Sequence, residues 1–181
     1  MSCSSSEPLL GQDLNMNASV SFDTLLNGYS QADQRFKSAR LGRDQAATFL
    51  PLFEALNWAV ALDDFVAEHW HPGGEPRGLG WRDWLDEEGA AVVQGMRFVR
   101  NRVHHQWAKA VRFDSRGFQF PMELPLVFHE WCWLPSQSLP TSSNTRGIEQ
   151  YGAHFTNRPV RLSLTALGRV YLAVSKARGW P

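Results

Sequence analysis

The stretch Phe49-Leu50-Pro51-Leu52-Phe53-Glu54-Ala55-Leu56-Asn57-Trp58-Ala59-Val60-Ala61-Leu62-Asp63-Asp64-Phe65-Val66 decides the fold class. Its apolar residues recur at i, i+3, i+4 and i+7 along one broad face, which is the period of an α-helix and not of a strand. Asp44 stands where a helix cap is needed, and the run closes at Trp70, because His71-Pro72-Gly73-Gly74-Glu75-Pro76 cannot continue a helix. Pro51 either kinks this helix or marks its start near the first turn. Asp63, Asp64 and Glu68 interrupt the most hydrophobic region, so no apolar run reaches the roughly 18 residues of a membrane span.

Outward from this helix the same period recurs. On the N-terminal side, Phe22, Leu25 and Leu26 make a short helix that Gly28 stops, and Ser30 caps a second one running to about Leu41. On the other side, Trp81 and Trp84 lie in a short packing segment. A helix from about Glu88 to Val111 then carries Val92, Val93, Met96, Val99, Val103, Trp107 and Ala110. Val111 to Phe120 alternates around the hairpin-like turn Asp114-Ser115-Arg116-Gly117, and Leu126 to Leu134 reads as a further strand. Pro135 to Gly147 reads as an exposed loop. A last helix starts at Ser163 or Thr165 and shows Leu164, Leu167, Val170, Tyr171 and Val174 before Gly179. The expected fold is all-α: an up-and-down bundle of four to five helices with a small β-hairpin insertion, over residues 21–181, behind a polar, flexible tail at 1–20.

Composition bounds the function. A chain of 181 residues with 43% hydrophobic residues is one folded domain, with room for a second only if it is small, and not a disordered segment. A net charge of zero argues against electrostatic coating of nucleic acid. The N-terminus lacks the basic and apolar regions of a secretory signal, so the expected location is cytoplasmic. Cys3 and Cys132 form no disulfide framework or metal cluster of their own. The charge is unevenly spread, however. Acids dominate from Glu54 to Glu88, and Arg97, Arg100, Arg102, Lys109, Arg112 and Arg116 face a single acid, Asp114. A neutral protein with such a basic segment still has room for a local anion site.

One constellation carries chemistry. In Arg97-Phe98-Val99-Arg100-Asn101-Arg102-Val103-His104-His105-Gln106-Trp107, Asn101 and His105 are one helical turn apart, and Arg100 stands beside them. A guanidinium holds non-bridging phosphate oxygens and keeps its charge, an imidazole moves protons near neutral pH, and an amide orients either partner. The set suits phosphodiester cleavage with the RNA 2′-hydroxyl as nucleophile. It needs no cofactor and no metal.

The string Arg100-Asn101-Arg102-Val103-His104-His105 resembles the arginine, polar residue, three variable residues, histidine motif of HEPN (higher eukaryotes and prokaryotes nucleotide-binding) domains. The bundle-like part of the resemblance covers about residues 30–178, and the motif is its specific part. It implies a metal-independent endoribonuclease that leaves a 2′,3′-cyclic phosphate. It further implies a homodimer whose two motifs meet in one cleft, RNA (tRNA or single-stranded) as partner, and a role as toxin or antiphage effector with an antitoxin or defence-system partner. Arg100, Asn101 and His105 would be catalytic. Where family toxins controlled by adenylylation carry Tyr two residues after the histidine, this chain has Trp107.

The remaining charges read two ways. Arg97, Arg102 and Lys109 either hold flanking phosphates or form a solvated helix face. His104 competes with His105 for the catalytic place, but the family spacing selects His105 and leaves His104 as a wall of the binding site. Asp63 or Asp64 would need a partner if buried, and Arg100 on the next helix is the expected one. His69 and His71 lack the further ligands a zinc site requires. The tryptophans Trp58, Trp81, Trp84, Trp131 and Trp133 either stack bases or pack the core. Two further classes of function stay open: a non-catalytic module that binds nucleotide or RNA or scaffolds a defence complex, and a helical partner that docks another chain through its aromatic hairpin.

Overall fold

The computed structural model describes residues 20–39, 44–70, 80–106, 110–114, 130–139 and 143–180, excepting the side chains of 45 and 103–106. Among these residues five helices follow in order: α1 (Phe22–Ala39), α2 (Gln45–His69), α3 (Glu87–Gln106), α4 (Thr145–His154) and α5 (Val160–Arg178). Two short strands, β1 (Val111–Asp114) and β2 (Glu130–Trp133), lie between α3 and α4. The chain is therefore a helical bundle with a small two-stranded antiparallel sheet. No helix among the described residues is long and apolar enough to cross a membrane.

The central helix forms as its period demands. Asp44 Oδ1 accepts from the Ala46 and Ala47 N–H groups, and Trp70 closes the other end in an extended conformation. Pro51 sits inside α2, not at its start. The buried face of α2, Leu52, Ala55, Leu56, Ala59, Leu62 and Val66, joins the main core.

Four expectations change. Gly28 does not stop a helix; α1 runs through it. A Cβ at Gly28 would lie 2.6 Å from the Trp58 ring, so this glycine allows α1 to approach α2 closely instead of punctuating the chain. The motif helix α3 ends at Gln106, five residues before Val111, because Val111 belongs to β1. Within the described residues β1 pairs with β2, in the register Val111↔Trp133, Arg112↔Cys132, Phe113↔Trp131 and Asp114↔Glu130. The turn at 115–117 and the rest of 115–129 lie outside the described residues, as does the tail at 1–19. The segment read as a loop to Gly147 contains the start of α4, capped by Asn144 through the Gly147 N–H at 2.9 Å. The last helix begins at Val160, earlier than Ser163, and ends as expected on Gly179 in the left-handed conformation.

Three buried tyrosines tie elements together by donating to backbone carbonyls. Tyr29 bonds Leu164 of α5, Tyr171 bonds Ala59 of α2, and Tyr151 bonds Leu134. Burial raises all three hydroxyls above the ordinary tyrosine range. Of the two readings left open for the tryptophans, packing holds for three of the five. Trp81, Trp131 and Trp133 are buried, and Trp133 Nε1 donates to Ser163 Oγ at 3.1 Å. Cys132 is buried between them in the chain as a small apolar residue.

Candidate functional site

The site is built on α3 and the face of α2 opposite it. Phe98 and Val99 are buried, which leaves Arg97 and Arg100 half-buried and Asn101 exposed. Helical spacing places Arg97 and Arg100 one turn apart, both within reach of α2.

Arg97 belongs to a charge network. Asp63, fully buried in the middle of α2, accepts from Arg97 Nη1 and from Arg82 Nη2, which lies 2.7 Å from both carboxylate oxygens. Arg97 Nη2 also meets the exposed Asp64 at 2.7 Å. Burial lowers the pKa of both guanidinium groups, and at Arg97 the neighbouring charge of Arg100 acts in the same direction. The expected partner of these acids, Arg100, is displaced by Arg97 one turn earlier and by Arg82. Arg82 comes from the turn before α3, and no spacing in the sequence points it at Asp63.

Arg100 is held differently. Its Nε donates to Asn57 Oδ1 of α2 at 3.2 Å, and its Nη1 approaches Asn101 Oδ1 at 3.4 Å. Asn57 is fixed in turn, since its Nδ2 donates to the Phe53 carbonyl at 2.9 Å. No carboxylate among the described residues pairs with Arg100. The acids of α2 nearest this site are engaged elsewhere: Glu54 by Arg35, Asp63 by Arg82 and Arg97, and Asp64 by Arg97. Neutral amide oxygens orient the guanidinium without cancelling its charge, which is the electrostatic condition for receiving an anion.

Asn57 also lines a groove of about 390 Å³ between α1 and α2, together with Gly28, Gln31, Arg35, Glu54 and Trp58. Sequence reading missed Asn57. The signal for it was an amide standing inside the apolar run Ala55-Leu56-Asn57-Trp58-Ala59, where a polar side chain needs a reason.

The other expected residues divide. Arg102 lies over the Phe98 ring at 5.4 Å. His104 and His105 stand on the backbone of α3, His105 one turn after Asn101, and their side chains lie outside the described set. Lys109 and Trp107 also lie outside it. Arg100 and Asn101 are brought together, and Arg97 is committed to its carboxylates. His69 stacks on Phe65 with ring centroids 4.0 Å apart, and its Nδ1 lies 2.9 Å from the Phe65 carbonyl. Among the described residues no group of three His, Cys, Asp or Glu side chains could hold a metal ion. His71 lies outside them. Family models, curated proteins and solved structures were all compared with the chain, and none matches.

Proposed function

We propose that this chain is a metal-independent endoribonuclease of HEPN-like type, active as a homodimer. The observation that supports the reading is the Arg100 guanidinium, oriented by Asn57 and Asn101 and left unneutralised by any described carboxylate. Its Nη edge grips the non-bridging oxygens of the scissile phosphate and stabilises the charge that builds there as the transition state forms. His105 takes the proton from the RNA 2′-hydroxyl, the 2′-oxygen attacks phosphorus, and the 5′-oxygen leaves with a proton returned to it. The products are a 2′,3′-cyclic phosphate end and a 5′-hydroxyl end. Asn101 orients the hydroxyl or the imidazole.

The test is cleavage of a mixed RNA pool by purified protein in EDTA, beside Arg100→Ala and His105→Ala. Wild type is expected to cut, and each variant to lose roughly 100-fold or more in rate, the scale for removing a general base or an electrostatic donor. Intact RNA with wild type, or variants as active as wild type, refutes the proposal. The Arg100 grip itself does not depend on His105. A module that binds RNA without cutting it is therefore the second reading, and RNA binding abolished by Arg100→Ala with no cleavage product selects it.

A further inference from the structure

We infer that Asn57 is a positioning residue for Arg100, selected as an amide because an amide orients the guanidinium while preserving its positive charge; the inference rests on the reading of Arg100 as a phosphate grip. A guanidinium has five N–H donors in a planar fork. Asn57 takes Nε, the donor nearest the stem, at 3.2 Å. Asn101 takes one end at 3.4 Å, the weaker of the two contacts. The remaining donors bond no described residue, which suits the two-point contact that a phosphate group accepts.

The identity of position 57 matters because of its neighbours. Arginines meet carboxylates at the other fixed points of this face: Arg35 at Glu54, Arg82 and Arg97 at Asp63, and Arg97 at Asp64. Glu54 stands one turn before Asn57 and Asp64 two turns after it on the same helix. A carboxylate at 57 would continue that pattern and make a better tether than an amide, since charge-assisted bonds are shorter and about twice as strong. The acid would give up the donation to the Phe53 carbonyl, so for stability alone the gain at Arg100 and the loss at Phe53 offset each other. An amide is the choice that keeps the charge available. The hydrogen bond from Asn57 Nδ2 to the Phe53 carbonyl sets which end of the amide faces Arg100, so the oxygen is presented and not the amino group.

Asn57→Asp separates the two roles because it cancels the charge of Arg100 while leaving stability close to that of wild type. Cleavage in EDTA, thermal midpoint, and the salt dependence of binding to a short fluorescein-labelled single-stranded RNA are measured for wild type, N57D, N57A and R100A. N57D is expected to keep the thermal midpoint within about 4 °C of wild type, because the stronger bond to Arg100 offsets the lost donation to the Phe53 carbonyl. It is expected to cut at least roughly 10-fold more slowly, and to lower the slope of log K against log salt by about 0.7, the loss of one phosphate contact on a single strand. N57A keeps the charge and therefore the salt slope. It loses the tether, and with it about 10-fold in cleavage rate at saturating RNA, on the scale of a misplaced catalytic group.

If R100A abolishes binding and cleavage while N57D keeps both rate and slope, the assignment of Asn57 is overturned and the Arg100 site stands. If R100A itself leaves cleavage and binding unchanged, the site reading falls and the Asn57 role falls with it. Should N57D fail to fold, N57A decides: a wild-type cleavage rate in N57A overturns the role, and a lowered rate with an unchanged salt slope supports it.

Discussion

Asp63→Asn is the sharpest probe of how α3 is anchored. The Asp63 carboxylate has no exposed surface and receives Arg82 on both oxygens and Arg97 on one. Asparagine keeps the shape but replaces one acceptor oxygen with an amino group, which faces guanidinium donors and cannot accept from them. It also removes the buried negative charge that Arg82 and Arg97 share, two cations that burial already disfavours. Breaking a fully buried pair costs about 3–5 kcal/mol. Here the side chains of Arg82 and Arg97 keep 35% and 36% of their exposure, so water recovers part of that loss. About 2–4 kcal/mol remains. For a domain of this size that lowers the thermal midpoint by roughly 5–15 °C. The assay is thermal unfolding followed by circular dichroism, with a double-mutant cycle against Arg97→Ala. The cycle should return a coupling above about 1 kcal/mol, since both groups share one network. A midpoint within about 2 °C of wild type, or additive single and double variants, would refute the view that Asp63 clamps α2 to α3 and to the turn before it.

Gly95→Ala should destabilise by about 1–2 kcal/mol in urea denaturation, although alanine is the better helix former, because its Cβ would overlap the fully buried Phe155 ring of the α4 corner. Asn144→Ala should cost about 1 kcal/mol by removing the cap of α4, again read from the urea midpoint. The pH dependence follows from the tyrosines. Tyr29, Tyr151 and Tyr171 have hydroxyls raised by burial above the ordinary value of 10.0, so the folded state holds these protons more tightly than the unfolded chain. Their contribution is complete below about pH 10 and is lost as pH rises from there through the raised folded-state values, so urea midpoints should fall from about pH 10 upward. Tyrosinate absorbance from these residues should appear only with unfolding, and a wild-type urea midpoint that stays flat to about pH 11 would contradict the burial argument.

The bundle was readable in the chain wherever local chemistry suffices. α2 declares itself through its period and through Asp44, whose side chain bonds the next turn without help from the rest of the fold. Gly179 ends α5 for an equally local reason, its positive φ. Arg100 and Asn101 could be singled out because they are sequence neighbours on one helix. Gly28 shows where such reading fails. A glycine that punctuates and a glycine that admits a neighbouring ring look alike in one dimension, and the Trp58 indole from the next helix decides between them. The end of α3 is a similar case, since Val111 fits a helical stripe and also pairs across to Trp133.

By itself, then, the sequence determined the helical class, the caps at Asp44 and Gly179 and the cationic segment of α3, all of which depend on residues within a turn or two of one another. Only the tertiary structure decided which acid each arginine meets. Ion pairing acts through space between elements far apart in the chain, so Asp63 could take Arg97 and Arg82, and Arg100 was left to two amides. Among the described residues that allocation pairs Arg100 with no carboxylate.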